Sequence, residues 1–389
     1  MATPTDEARP LSLLRRERTA SPDLLLIIPY LVLSALGLVM IYSASAPRLE
    51  DLGLSPTRDL ERQAIFVIVG FVAFAVTSVI DLRAVRRWVP AIYLGSVVTL
   101  ILVLSPLGAN VKGAQRWIPV GPYQFQPSEI AKVAVVLGLA ALLSAAAKPM
   151  HWSRVARAVA LVVVPSLLIF FQPDLGTMLT FGFIAIVMIF VAGATFRQMG
   201  ALVLGAIVAA VGVFQVGAVQ EYQLVRLTAF LDSAADPLGP GYNQLQSEIA
   251  IGTGGLWGRG LFNGTQTNLR FVPEQSSDFI FTALGEQLGF VGSAFVLVLF
   301  GVIIWRILMA AVNSRDRFGQ LVAIGVAALV SFHVFVNVGM TIRLMPVTGL
   351  PLPFMSAGGT VFVAMSVGLG LVHSVWLHRA PVRGEGAVE

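Results

Sequence analysis

Along the chain, apolar runs close to the ~20 residues that a helix needs to cross a hydrocarbon layer alternate with short polar stretches. They fall at 24–46, 64–80, 88–107, 129–147, 155–171, 176–193, 199–219, 280–305, 319–338 and 354–376. The pattern predicts an all-α polytopic membrane protein of about ten transmembrane helices. The first run has no convincing cleavage site behind it and reads as a retained helix. Residues 1–23 form a polar N-terminal tail, 24–376 a single membrane domain and 377–389 a C-terminal tail. One connection breaks the rhythm: 220–278, between the seventh and eighth helices, far exceeds the ~12–15 residues usual for a structureless loop.

Composition agrees. Of 389 residues 56% are hydrophobic and 12% charged, against about 25% charged in soluble domains. Cysteine is absent, which excludes disulfides, thiolate metal sites and cysteine nucleophiles. The four histidines, His151, His333, His373 and His378, are scattered without metal-ligand spacing and read as satisfied or exposed side chains. The pI of about 9.9 arises from short inter-helix loops, so nucleic-acid binding is not expected. With the N-terminus cytoplasmic, inside segments carry sixteen of the 26 lysines and arginines and outside segments nine, Lys132 lying within a helix. This bias predicts cytoplasmic termini and an extracytoplasmic 220–278 loop.

Polar chemistry collects at the outer helix ends. Glu129 and Lys132 stand three apart on one helix face, and an intramembrane charge usually pairs or lines a polar cavity; a structural ion pair is the alternative. Arg116-Trp117 precede them, Asp174 opens the sixth helix and Glu286 lies in the eighth. Asp278, followed by Phe-Ile-Phe, should meet external water at the membrane surface, either as a proton acceptor or as a helix cap. Glycines 252, 254, 255, 258, 260 and 264 do not make G-x-G-x-x-G, and no strand-turn-helix context surrounds them. They predict a flexible loop that packs closely on the membrane face. The helix-breaking run from Pro346 to Gly359 is a candidate cavity wall, since irregular backbone at membrane depth must be buried or line water.

Six segments in one order resemble the SEDS (shape, elongation, division, sporulation) family: Arg116-Trp-Ile-Pro, Gln126-Pro-Ser-Glu-Ile-Ala-Lys132, Gln172-Pro-Asp-Leu-Gly176, Gln246-Ser-Glu-Ile-Ala-Ile-Gly, Pro273-Glu-Gln-Ser-Ser-Asp-Phe-Ile-Phe281 and Pro346-Val-Thr-Gly-Leu-Pro-Leu-Pro-Phe. Tyr42-Ser-Ala-Ser and Asn337-Val-Gly-Met-Thr are similar to its RodA-like branch. The chain departs from the family at Arg343, where glycine is common, and in Ser356-Ala-Gly-Gly-Thr. The resemblance implies a peptidoglycan glycosyltransferase of cell elongation in the bacterial cytoplasmic membrane, polymerising lipid II at the outer face with release of undecaprenyl pyrophosphate. It implies Asp278 as general base, Arg116 and Lys132 as pyrophosphate contacts, and Trp117, Glu129, Asp174 and Glu286 as shaping the substrate site or positioning Lys132. It also implies a class B penicillin-binding protein, a transpeptidase, and other elongation-complex membrane proteins as partners. No cofactor is assigned; a divalent cation (Mg or Mn) bridging pyrophosphate is compatible, but the sequence fixes no ligands. The other functions open to the same charges are a lipid II flippase or transporter and a scaffold without chemistry.

Overall fold

The computed structural model describes residues 21–111, 114–146, 149–217, 225–226, 230, 240–269 and 271–379. The tails 1–20 and 380–389 and much of 218–239, including Gln220 to Gln223, lie outside the described residues. Seven long helices come first: α1 (Leu24–Asp51), α2 (Arg58–Val79), α3 (Leu82–Leu104), α4 (Pro127–Ser144), α5 (Trp152–Phe171), α6 (Leu175–Ala192) and α7 (Phe196–Gln215). Two shorter ones, α8 (Pro240–Gly254) and α9 (Thr265–Asn268), precede α10 (Ile280–Val312), α11 (Arg317–Thr341) and α12 (Gly359–Leu377). All but α8 and α9 are long and apolar enough to cross a membrane, which makes the expected ten among the described residues.

The core forms where α4, α11 and α12 meet, three helices buried along most of their length. Their small residues let neighbours close in: a Cβ at Gly325 of α11 would press on Val136 and Met188, and one at Gly70 of α2 on Phe362. By contrast α7 is exposed almost everywhere, with Gln198 alone among its residues buried. A helix apolar on every side and packed on so little must find its solvent in lipid.

Two features depart from the expected pattern. Between α3 and α4 lies a three-stranded antiparallel sheet, β1 (Ala109–Val111), β2 (Ala114–Val120) and β3 (Tyr123–Phe125). It lies at the same end of the bundle as α8 and α9, called here the loop end. The other departure is α10, which continues past Arg306 where the charge predicted an exit. Arg306 does not leave the bundle because its guanidinium donates to Asp23 at 2.9 Å and lies 4.4 Å from the Trp376 ring centroid. A charge with an ion partner and an aromatic face remains inside.

At the loop end α10 is broken at Gly289, with φ 67° and ψ −163°. The break strips the helix bonds that would join Glu286 O to Phe290 N–H and Gln287 O to Val291 N–H. The glycine-rich loop replaces all four: Arg259 N donates to Glu286 O and Gly260 N to Gln287 O, both at 3.0 Å, while Phe290 N donates to Gly255 O (2.9 Å) and Val291 N to Leu256 O (3.1 Å). The loop packs closely as the glycines predict, but it is tied down by these bonds rather than flexible, and Gly252 and Gly254 belong to α8. Gly258 has φ +81°, and a Cβ there would overlap Gln287 O. Gly258→Ala is therefore expected to destabilise by at least about 1–3 kcal/mol. Gly252→Ala in α8, which meets open space, should be neutral or stabilising by up to about 1 kcal/mol. Thermal unfolding of the two variants in detergent compares them directly, and equal melting temperatures would remove the strap from the stability of α10.

The segment 342–358 between α11 and α12 is irregular, and Val347, Leu350, Leu352, Phe354 and Met355 are buried in it. A Cβ at Gly37 would run into the backbone of Phe354 and Met355. Gly37 lies ~20 Å along α1 from Leu24, so the segment reaches down into the bundle within the length of a ~30 Å hydrocarbon layer. Its backbone is covered by protein, as irregular structure at that depth requires. Arg343, standing where the family favours glycine, has φ +58°, the left-handed region in which glycine is easiest.

Candidate active site

Pro127 at the first turn starts α4 where a missing N–H costs nothing, and one turn later Glu129 and Lys132 share a face. Lys132 is wholly buried. Its ammonium donates to Glu129 Oε1 and Oε2 at 2.8 and 2.9 Å and lies 3.0 Å from His333 Nε2 on α11. An ammonium has three protons, and these contacts use them all. The pyrophosphate contact expected of Lys132 is therefore not offered in this arrangement; what it holds is Glu129 and His333.

Asp174 caps α6, accepting from Thr177 N at 3.1 Å and Thr177 Oγ1 at 3.0 Å. Arg116, on β2, reaches over this helix start: Nε donates to Gln172 O at 2.9 Å, Nη2 bonds Pro173 O, and Nη1 stands 3.9 Å from Asp174 Oδ2. The sheet thus delivers Arg116 and its half-buried neighbour Trp117 to the mouth of the bundle. Arg116 thus stands beside Asp174 at the start of α6, and Glu129 and Lys132 pair on α4.

Glu286 joins neither pair. Both its oxygens are taken by α9, from Gln266 N (2.7 Å), Thr267 N (2.9 Å) and Thr267 Oγ1 (2.6 Å). An anion receiving the first N–H groups of α9 anchors that turn. The expectation that Glu286 positions Lys132 is thus not met, because its carboxylate is occupied elsewhere. Beside it Gln287 Oε1 accepts from Ser43 Oγ at 2.8 Å, tying the loop to α1.

Asp278 lies in the turn before α10 and is partly exposed. The N-cap of that helix is Phe279, so the capping alternative for Asp278 does not describe its position. Its backbone is held twice: Asp278 N donates to Glu274 O at 3.1 Å, and Asn337 Nδ2 donates to Asp278 O at 2.8 Å. The carboxylate lies over Gly349, whose added Cβ would come 3.4 Å from Asp278 Oδ2.

One short stretch, 347–351, joins these parts. Thr348 O faces Gly176 at the start of α6, Gly349 faces Asp278, Leu350 O accepts from Asn337 Nδ2 (2.8 Å) and Pro351 O lies 3.1 Å from His333 Nδ1. The proline-rich motif expected to wall a cavity is the junction of the site. From the sequence His333 reads as a satisfied or exposed histidine, which hydrogen-bond partners at both ring nitrogens bear out, and Asn337 as the head of a motif; neither is named there as a site residue. The signal was available, since the rule that drew attention to Lys132 applies equally to an ionisable residue inside a 25-residue apolar helix. Among the described residues no three His, Asp or Glu side chains converge in a way that could hold a metal ion.

Residues 23–380 match the cell cycle protein family FtsW/RodA/SpoVE. The chain belongs to this family. It is 38% identical over 356 residues to the peptidoglycan glycosyltransferase MrdB of Escherichia coli, covering 92% of this chain and 93% of that one. Among solved structures it is similar to the rod shape determining protein RodA of Thermus thermophilus, with TM-score 0.67 and 28% identity over 93% of this chain and 98% of that one. It is also similar to a chain solved in work on a peptidoglycan synthase complex that coordinates polymerization and crosslinking, with TM-score 0.76, 29% identity and coverage of 92% and 98%. As a member of the FtsW/RodA/SpoVE family the chain is a multi-pass membrane protein with a mostly helical fold.

Proposed function

We propose that the loop end of this bundle is where lipid II is joined into glycan strands, with Asp278 as the general base. The chain is a peptidoglycan glycosyltransferase, the activity that its relative in Escherichia coli is named for. The observation that carries the assignment of roles is the position of Asp278, a partly exposed carboxylate at the mouth of the bundle, braced from α11 and close to 349. A lipid-linked substrate keeps its tail in the bilayer and its reacting sugar just beyond it. The acceptor hydroxyl oxygen attacks the anomeric carbon of the donor, the bond from that carbon to the pyrophosphate oxygen breaks, and the hydroxyl proton passes to Asp278. Undecaprenyl pyrophosphate leaves with the bonding electron pair. Arg116, partly exposed and pinned by its own contacts, stands ready for the leaving charge without reorganisation. Trp117 beside it offers an aromatic wall, and Asp174 and Glu129 hold the cations in place.

Similarity to the synthase complex supports a single-span class B penicillin-binding protein, the transpeptidase, as partner of this chain within the elongation machinery. Purified protein given lipid II, with and without that transpeptidase, tests the function; glycan chains are expected. Movement of lipid II across vesicles with no glycan formed under either condition would favour the flippase instead.

The charge bias supports placement in the cytoplasmic membrane with both termini inside. Single cysteines introduced at Ser233, outside the described residues, and at Ser314, in the turn after α10, are expected to label from opposite faces. External labelling at Ser314 would invert the topology.

A further inference from the structure

His333 and Asn337 stand one turn apart on one face of α11, both wholly buried. Pro351 O can only accept, so His333 Nδ1 carries the proton of that contact and Nε2 is the acceptor for the third N–H of Lys132. The ring cannot turn without giving up both partners. Asn337 donates one N–H to Asp278 O and the other to Leu350 O, each at 2.8 Å. Two carbonyl acceptors fix which way the amide points. A single hydrogen-bonded route therefore runs from Glu129 through Lys132 and His333 to Pro351, along the chain to Leu350, and through Asn337 to Asp278. The His333 and Asn337 Cα atoms differ by four residues, ~6 Å along the helix, so α11 acts as a ruler between the buried ion pair and the carboxylate.

We infer that His333 and Asn337 are positioning residues for glycosyl transfer: they hold the backbones of 278 and 349–351 in register, and the Glu129–Lys132 pair acts on the reaction through them. The inference rests on Asp278 being the base. Asp278 is in a turn, not in a helix, and its own N–H donates to Glu274 O, four residues back in the same turn. The bond from Asn337 ties that turn to the bundle. A base must come within ~2.6–3.2 Å of the proton it takes, and a 1 Å misplacement can cost on the order of 10²-fold in rate. The ion pair stands too deep and too enclosed to reach substrate, yet it fixes the ring that fixes 351.

The test compares His333→Leu, which can neither donate nor accept, with His333→Gln, whose amide can accept from Lys132 and donate to Pro351. Each is made in the full chain with wild-type Asp278 and with Asp278→Asn. Rates come from single turnovers of labelled lipid II, which read residual activity, and folding from thermal unfolding. Folded His333→Leu is expected to lose about 10- to 100-fold in kcat with KM for lipid II unchanged, and His333→Gln to recover most of it. On the Asp278→Asn background His333→Leu should lose less than about two-fold, since the group being positioned can no longer accept a proton. An equal loss on both backgrounds, or a change in KM alone, overturns the positioning role while leaving Asp278 as base. Full activity of Asp278→Asn by itself overturns the base assignment, and the positioning role with it. Should His333→Leu fail to fold, Asn337→Ser takes its place in the same comparison; wild-type kcat in folded Asn337→Ser overturns the role.

Discussion

Asp278→Asn is expected to leave the fold intact and lower glycan polymerisation by about 10² to 10⁴-fold, or roughly 3 to 5.5 kcal/mol of barrier. The amide is nearly isosteric with the carboxylate, and the backbone bonds that hold the turn, to Glu274 O and from Asn337, do not involve the side chain. What is lost is the acceptor for the hydroxyl proton. A helix-capping residue would behave differently, because Asn caps about as well as Asp, and here Phe279 occupies the cap. Glycan chain length and rate from lipid II, measured beside the melting temperature of each protein, decide the matter. A well-folded Asn variant with wild-type polymerisation removes Asp278 from the chemistry.

The second large effect is expected at the buried pair. Lys132→Met leaves the Glu129 carboxylate enclosed without its counter-ion, and breaking such a pair by removing one partner costs about 3–5 kcal/mol. The double variant Lys132→Met with Glu129→Leu removes both charges, and an apolar replacement of a buried pair is often neutral or stabilising. Stability should therefore return in the double variant. Activity should not, because His333 Nε2 has lost its donor and no longer holds Pro351 from a fixed ring. The pair of readouts is thermal unfolding and lipid II polymerisation in the single and double variants. Recovery of both in the double variant would make the charges dispensable and reduce the pair to one way among others of filling the core.

The membrane helices were legible because a span of hydrocarbon imposes its length on the sequence, and ten apolar runs became ten helices. The end of α10 was not, since a lone arginine reads as an exit unless its partners are known. Asp23 and Trp376 are contributed by α1's leading edge and by α12, 283 residues away in the first case. The sheet was missed because β1 and β3 have three residues each, too few to show a period. For the site, carboxylates and cations at helix ends could be read directly, and they fall into two pairs, Arg116 with Asp174 and Glu129 with Lys132. Glu286 went elsewhere because the break at Gly289 brings the glycine-rich loop against that end of α10, a bend that no local pattern announces. His333 is satisfied, as read from the sequence, but its partners, Lys132 and Pro351, lie on different parts of the chain, so its place in the site was not legible.

Distance along the sequence also sets when this site can exist during synthesis. Lys132 and His333 are 201 residues apart, Gln126 N and its acceptor Thr360 Oγ1 are 234 apart, and Ser43 reaches Gln287 across 244. Chains leave the ribosome N-terminus first, at about 5–20 residues per second, so α4 enters the membrane many seconds before α11 supplies a partner for its lysine. During that interval Glu129 and Lys132 have only each other, three residues apart and able to neutralise one another within a single helix. The junction at 347–351 closes last, with α12. A nascent chain therefore inserts α4 with its two charges already paired and yet holds no assembled transferase, and the ability to build wall arrives only with the final helix.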